Sequence, residues 1–355
     1  MKVVNTLMEP EIYYQKIKMR FAVQGLFLAW ISSITAVTQG NINGMVNLSI
    51  SPSFLDTSLI IIIISLAILA FNDIIAGIWI LIYNIITGRS IKEYFRVSKT
   101  KSGAMMLLAS FFGGPFATGA WMAAVNFCGL TYTLTIMSTT SLVTAIVGRI
   151  VFKEQMNLRI IIGIIIAVFG IALTSFSPPS GDVYPQFYLG IFLAALSPIG
   201  FTIEGMLSTY SGDVIDPMVG SSLYRGIGSG IMGFIVITIL GVSTSNGLVG
   251  WSVIGEVITT PSAFIWVLIM GLCGGISYAT CYDSFNKTGP TRTLAIINTT
   301  PVWSIPIGFG FALAGLYDYA VTLQAIVAAF VVIVGITLVI AKPSELLNLR
   351  DTEGN

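Results

Sequence analysis

From Ser58 to Thr87 the chain places one charged side chain, Asp73, in thirty positions. A helix rises 1.5 Å per residue, and about 20 apolar residues cross the hydrocarbon core of a bilayer. No water is available there, so a spanning backbone must satisfy its own N–H and C=O groups, as a helix does. Runs of this kind recur at 21–47, 58–87, 103–126, 130–152, 157–177, 187–209, 217–241, 262–286, 290–314 and 319–341. The expected fold class is an all-α polytopic membrane protein with ten transmembrane helices. Composition agrees: 9% of the 355 residues are charged, against about 25% in soluble domains. Turn chemistry separates the runs at Ser51–Pro52, Ser177–Gly181, Asp216–Pro217 and Thr288–Pro290.

Basic residues set the expected orientation, because cytoplasmic loops collect Lys and Arg. With the N-terminus inside, the inner segments hold Lys2, Lys16, Lys18 and Arg20, then Arg89, Lys92, Arg96, Lys99 and Lys101, then Lys153 and Arg159, Lys287 and Arg292, and Lys342 and Arg350. Arg149 ends the fourth segment on that side, and the outer loops near 48–57, 127–129, 178–186, 242–261 and 315–318 hold none. Of 17 basic residues only Arg225 lies inside a run and away from its inner end. The polar first twenty residues lack the short basic region of a cleaved signal, so the first helix is expected to remain as an anchor. Both termini are placed in the cytoplasm, and the membrane is the cytoplasmic (plasma) one.

The same composition excludes several chemistries. There is no histidine, and Cys128, Cys273 and Cys281 sit in apolar runs without metal-ligand spacing. No nucleophile–base set is visible, so the chain is expected to be neither an enzyme nor a holder of metal or cofactor. A net charge of +1 gives no bulk attraction to nucleic acid.

The chain is also duplicated. Gly25–Gly40 and Gly190–Gly205 share seven of sixteen residues at an offset of 165, with Gln39 opposite Glu204. Gly113–Gly114 matches Gly274–Gly275 at an offset of 161, which pairs Trp121 with Tyr282 and Thr139 with Thr300. The first offset returns at Gly170–Ile171 and Gly335–Ile336. Five helices per copy is an odd number, so the two five-helix repeats, 21–177 and 187–341, are expected to be inverted, with substrate near the midplane between them. The remaining parts are an N-terminal arm (1–20), an outer linker (178–186) and a cytoplasmic tail (342–355).

Three stretches resemble the EamA-like branch of the drug/metabolite transporter superfamily. One is Phe152–Lys153–Glu154–Gln155–Met156–Asn157–Leu158 followed by Gly163 and Gly170; another is Lys287–Thr288–Gly289–Pro290–Thr291–Arg292 running to Thr299–Thr300–Pro301–Val302; the third is Thr38–Gln39–Gly40–Asn41. The first half departs from the pattern with Thr140 where the second has Pro301, and the second with Gly315–Leu316–Tyr317 in place of an acidic turn. The resemblance implies a secondary carrier whose central cavity is lined by helices 1–4 and 6–9, with helices 5 and 10 peripheral.

Ionisable groups within a membrane are costly and mark pathways or pair with one another. Asp73, beside Asn72, is read as a cation or proton site or as a partner for Arg225. Glu204 is read as the site of a positive substrate group or coupling proton, or as half of an inner-gate salt bridge. Arg225, after Tyr224, offers a planar fork to a carboxylate or phosphate, or pairs with Glu204, Asp73 or Asp283. Asp283, one turn from the inner end of its helix, is read as a gate or salt-bridge residue or as an interfacial one, and Tyr224 as a gate or salt-bridge residue. Tyr278 and Tyr282 share one face, and with Trp121 they box a substrate or simply pack. Asn298, Asn126 and Gln39 add hydrogen-bonding capacity, and Asn41, Asn43 and Asn47 suit a vestibule. Gly226, Gly228, Gly230 and Gly233 allow close helix packing.

Both signs of charge with aromatics fit a small polar or zwitterionic, amino-acid-like metabolite, moved by alternating access with a coupling proton or cation. A quaternary-amine or organic-cation carrier is the alternative, and a non-transporting membrane sensor is a third reading from another class.

Overall fold

The computed structural model describes residues 2–50, 58–151, 157–174, 186–244, 246–316 and 323–339. Among these the chain is helical and holds no strand. The Ser51–Pro52 and Ser177–Gly181 breaks, the acidic turn at 152–156 and the tail at 342–355 lie outside them.

Helix α1 (Lys2–Ser49) runs from the polar arm straight into the first apolar segment, and α2 (Ser58–Ile86) is the second. A short amphipathic helix, α3 (Ile91–Ser98), leads to α4 (Lys101–Phe111). Ser90 Oγ accepts from Lys92 N at 3.2 Å and Thr100 Oγ1 from Gly103 N at 3.0 Å, so each new helix starts on a side-chain cap. A π-helical stretch, Phe112–Thr118, joins α4 to α5 (Gly119–Ser138), and α6 (Thr140–Val151) and α7 (Leu158–Thr174) follow. Pro115 sits in the widened turns, where the missing N–H and the ring are tolerated.

The second half opens with α8 (Phe187–Ser211). Asp216 caps α9 (Pro217–Gly220), accepting from Met218 N at 2.8 Å, and Pro217 occupies the position that needs no N–H. A second π-helical stretch, Ser221–Gly228, continues into α10 (Ser229–Ser243). Then come α11 (Val249–Thr259), α12 (Pro261–Thr288), α13 (Pro290–Ile297), α14 (Thr300–Leu313) and α15 (Leu323–Val339). Gly289, at φ 78°, turns the chain between α12 and Pro290, a conformation that glycine takes without penalty. The Asp216–Pro217 and Thr288–Pro290 breaks thus fall where the turn residues place them.

Among the described residues, seven helical stretches are long and apolar enough to cross a membrane: Met19–Ser49, Ser58–Ile86, Lys101–Cys128, Phe187–Ser211, Pro217–Ser243, Pro261–Thr288 and Pro290–Leu313. The expected segments 130–152, 157–177 and 319–341 contain shorter apolar helices, interrupted at Thr139 or bordering undescribed residues. Two expected loops are corrected. Residues 249–259 form α11, which buries Val253, Ile254 and Val257 and packs on α2 and α12. Residues 127–129 are helical, inside α5. The chain still folds back beyond them. Glu204 rests on Gly113 while Thr202, two positions earlier on α8, bonds Thr144 at 2.9 Å. A straight helix would separate residues 113 and 144 by roughly 46 Å.

The contacts include α1 with α12, α8 with α5, α7 with α15, α12 with α2, α13 with α6, and α2 with the second π-helical stretch and α10. Small residues bring the last pair together. A Cβ on Gly226 would lie 2.3 Å from Gly77 Cα, and one on Gly233 would lie 2.7 Å from Ala70 Cβ. These glycines therefore serve packing, and they bring the backbone around Arg225 against the backbone around Asp73.

Candidate functional site: an ion cluster on a cavity wall

Arg225 is 3% exposed, in the second π-helical stretch. Its Nη1 lies 2.8 Å from Asp73 Oδ2 and its Nε 2.9 Å from Glu204 Oε1. Nη2 donates to Thr118 Oγ1 at 3.2 Å and to the Gly113 carbonyl at 3.5 Å. The Tyr278 ring lies beneath the guanidinium, 4.0 Å from centroid to Cζ. One planar fork thus joins α2, α8, the α4–α5 junction and α12.

The two carboxylates differ in their surroundings. Asp73 is fully buried and both oxygens are occupied. Oδ1 accepts from Tyr278 OH at 2.6 Å and Asn72 Nδ2 at 3.2 Å, while Oδ2 accepts from Ser229 Oγ at 2.6 Å besides facing Arg225. Both polar contacts of Glu204 fall on Oε1, from Arg225 and from Tyr282 OH at 3.1 Å. A cavity of about 480 Å³ opens beside it. Glu204 and Arg225 line that cavity with Gln39, Trp121, Tyr278, Tyr282 and Asn298, whereas Asp73 and Asn72 stand behind the wall. Asn126 and the expected vestibule residues Asn41, Asn43 and Asn47 also line it. None of the lining comes from α7 or α15. Asn298 Nδ2 donates to Ser141 Oγ at 2.8 Å, tying the break before α14 to the start of α6.

Two expected site residues lie elsewhere. Asp283 pairs with Lys287 at 2.8 Å, one turn along its own helix, and does not reach Arg225. Tyr224 is buried in a cluster with Tyr94, Val97 and Met106 and does not itself line the cavity. The sequence reading did not select Ser229 and Thr118. Ser229 stands four residues after Arg225, and that helical spacing was its only signal. Thr118 reaches Arg225 through the π-helical geometry, which hydropathy does not reveal.

Glycines make room for the cluster. A Cβ on Gly113 would fall 2.0 Å from Glu204 Cδ, and one on Gly114 would fall 1.8 Å from Ser229 Oγ. The repeat mates behave alike. A Cβ on Gly274 would meet Gln39 Nε2 at 2.9 Å, so Gly274 faces Gln39 as Gly113 faces Glu204. Gly25 abuts Thr288 as Gly190 abuts Phe127 and Cys128. Ser32 Oγ bonds the Ser277 carbonyl at 3.0 Å, and Ser197 Oγ bonds the Ala117 carbonyl, also at 3.0 Å.

A family model, the EamA-like transporter family, matches residues 23–176. The match covers less than half of the chain and is a likeness to that family. That family lies in the drug/metabolite transporter superfamily and is a family of transporters, not enzymes. With its apolar helices and this match, the chain is an integral, multi-pass membrane protein. A solved crystal structure superposes on 90% of this chain and 97% of its own with a TM-score of 0.60 at 13% identity, a likeness of fold. No curated protein matches the chain in sequence.

Within this matched stretch, Gly113→Ala should lower stability by roughly 1–3 kcal/mol, the usual range for overpacking. Thermal unfolding of the purified protein measures it. Gly44→Ala, with nothing within 4 Å, should cause no loss. Adding Glu204→Ala to Gly113→Ala should relieve most of the penalty; additive losses would exclude the carboxylate as the clashing group.

Proposed function

We propose that the protein is a secondary transporter of a small, amine-bearing polar metabolite, amino-acid-like in the leading reading. It works by alternating access between two inverted five-helix halves. The paired contacts support the repeat: α1 meets α12 as α8 meets α5, and at three levels the meeting residues are repeat mates or their neighbours. The N- and C-termini are placed in the cytoplasm on the distribution of Lys and Arg.

The observation that carries the substrate reading is the Glu204–Arg225 pair on the cavity wall. A zwitterion entering that pair would offer its amine to Glu204 and its carboxylate to Arg225. Each charge keeps an opposite partner, which a low-dielectric site requires. Arg225 would stay anchored throughout by Asp73 and Thr118. Tyr278, Tyr282 and Trp121 supply apolar walls. The cluster sets two carboxyl groups against one guanidinium, so a proton or cation is expected to accompany a zwitterion.

That imbalance favours a second reading as well. Arg225 is already fully engaged, and a single organic cation would neutralise the cluster without displacing it. Counterflow in proteoliposomes separates the two. The zwitterion reading expects exchange of amino acids, sensitivity to the pH gradient, and at least a tenfold loss in Glu204→Gln. Competition by choline-like cations, with amino acids inert, would favour the cation carrier. Undiminished exchange by Glu204→Gln would overturn both.

A further inference from the structure

Helix α3 has a surface that the transport site does not use. It joins α2 to α4, and both belong to stretches able to cross a membrane, so it lies where two spans end. Tyr94 and Val97 face inward and are buried. Ile91 and Phe95, one turn apart, are 52% and 68% exposed. Lys92, Lys99 and Lys101 are exposed around them. The nearby acids are already committed, Glu93 to Arg96 and Asp216 to Arg89 at 3.5 Å. The three lysines have no acidic partner among the described residues.

Two exposed apolar side chains beside a surplus of ammonium groups, at the depth where spans end, match a bilayer surface and not water alone. We propose that α3 is a membrane-surface element: Lys92, Lys99 and Lys101 hold anionic phospholipid headgroups while Ile91 and Phe95 enter the acyl layer. Long lysine stems suit this, since the chain can lie along apolar surface while the charge stays with the headgroups. The site also connects inward. Tyr94 and Val97 belong to one apolar cluster with Met106, Tyr282, Phe285 and Leu294, and the last three line the cavity. Tyr94 OH further accepts from Asn84 Nδ2 at 2.7 Å, fixing α3 to the end of α2. Lipid held on α3 therefore braces the floor of the cavity. The inference rests on the membrane assignment and not on the transported substrate.

The test uses the full chain in detergent micelles doped with phosphatidylglycerol or phosphatidylcholine, read by thermal unfolding. Phosphatidylglycerol should raise the midpoint above the phosphatidylcholine value. In the triple variant Lys92→Gln, Lys99→Gln, Lys101→Gln, the mole fraction needed for half the effect should rise about fivefold per lysine removed. The triple variant's midpoint in phosphatidylcholine should match the parent's, which separates lipid binding from a folding defect. A nitroxide on Phe95→Cys in vesicles of the two lipids should be relaxed by oxygen, and one on Lys92→Cys by an aqueous nickel reagent. Equal responses to both lipids, an undiminished response in the triple variant, or a water-exposed label at position 95 would overturn the proposal. So would the same stabilisation by inorganic phosphate alone, which would assign the lysines to a soluble anion.

Discussion

Arg225→Met is expected to cost roughly 3–5 kcal/mol of stability, the range for breaking a buried ion pair from one side. The substitution strands Asp73, which has no exposure and no second cation within reach among the described residues. Ser229, Tyr278 and Asn72 would still bond its oxygens, but they bring no compensating charge. Replacing both partners is a different case. Arg225→Met with Asp73→Leu removes the fully buried pair together and leaves only Glu204, on the cavity wall, without its cation, so the double variant should lose less than the sum of the singles. Arg225→Lys should fall between parent and Met, because one ammonium cannot reach Asp73 and Glu204 with the geometry of the fork. Denaturant unfolding in micelles measures all four proteins. Additive single losses would show that the pair does not hold α2 against the second π-helical stretch.

Gly226→Ala should be nearly as damaging, about 3 kcal/mol, at the upper end of overpacking costs. Its Cβ would fall 2.3 Å from Gly77 Cα and 2.6 Å from Gly77 N. Backbone cannot change rotamer, so the collision is relieved only by moving α2 away. Asp73 is one turn before Gly77 on α2 and Arg225 adjoins Gly226, so the same movement lengthens the ion pair. The variant should therefore lose stability and also weaken the Asp73–Arg225 coupling energy measured by the double-variant cycle. Gly255→Ala on α11, with nothing within 4 Å, is the control and should cost nothing. A coupling energy unchanged by Gly226→Ala would separate the crossing from the site.

Much of this was legible in the chain because hydropathy is a local property. Every expected apolar run contains helix, and the prolines at 217 and 290 begin helices where their missing N–H groups cost nothing. Where local pattern was weaker, the reading erred. Residues 249–259 look like a loop because they are short and flanked by Asn246–Gly247 and Pro261. They form a helix because α2 and α12 offer a surface on which Val253, Ile254 and Val257 are buried. Residue type offers Asp283 as one of three partners for Arg225, or as a gate or salt-bridge residue. Its partner is Lys287, which helical spacing places within reach without any tertiary contact.

By itself the sequence determined that the protein is a helical membrane protein and that Asp73, Glu204 and Arg225 are the charges most in need of partners. These follow from residue type and spacing, since lipid tolerates little else. Only the tertiary structure decided that one guanidinium serves both carboxylates, with Asp73 behind the wall and Glu204 on the cavity. Partner choice depends on how far each helix is rotated about its axis and how closely it approaches its neighbours. Those quantities are set by contacts such as Gly77 on Gly226 and Gly113 on Glu204, between residues far apart in the chain, and no periodicity within one segment encodes them.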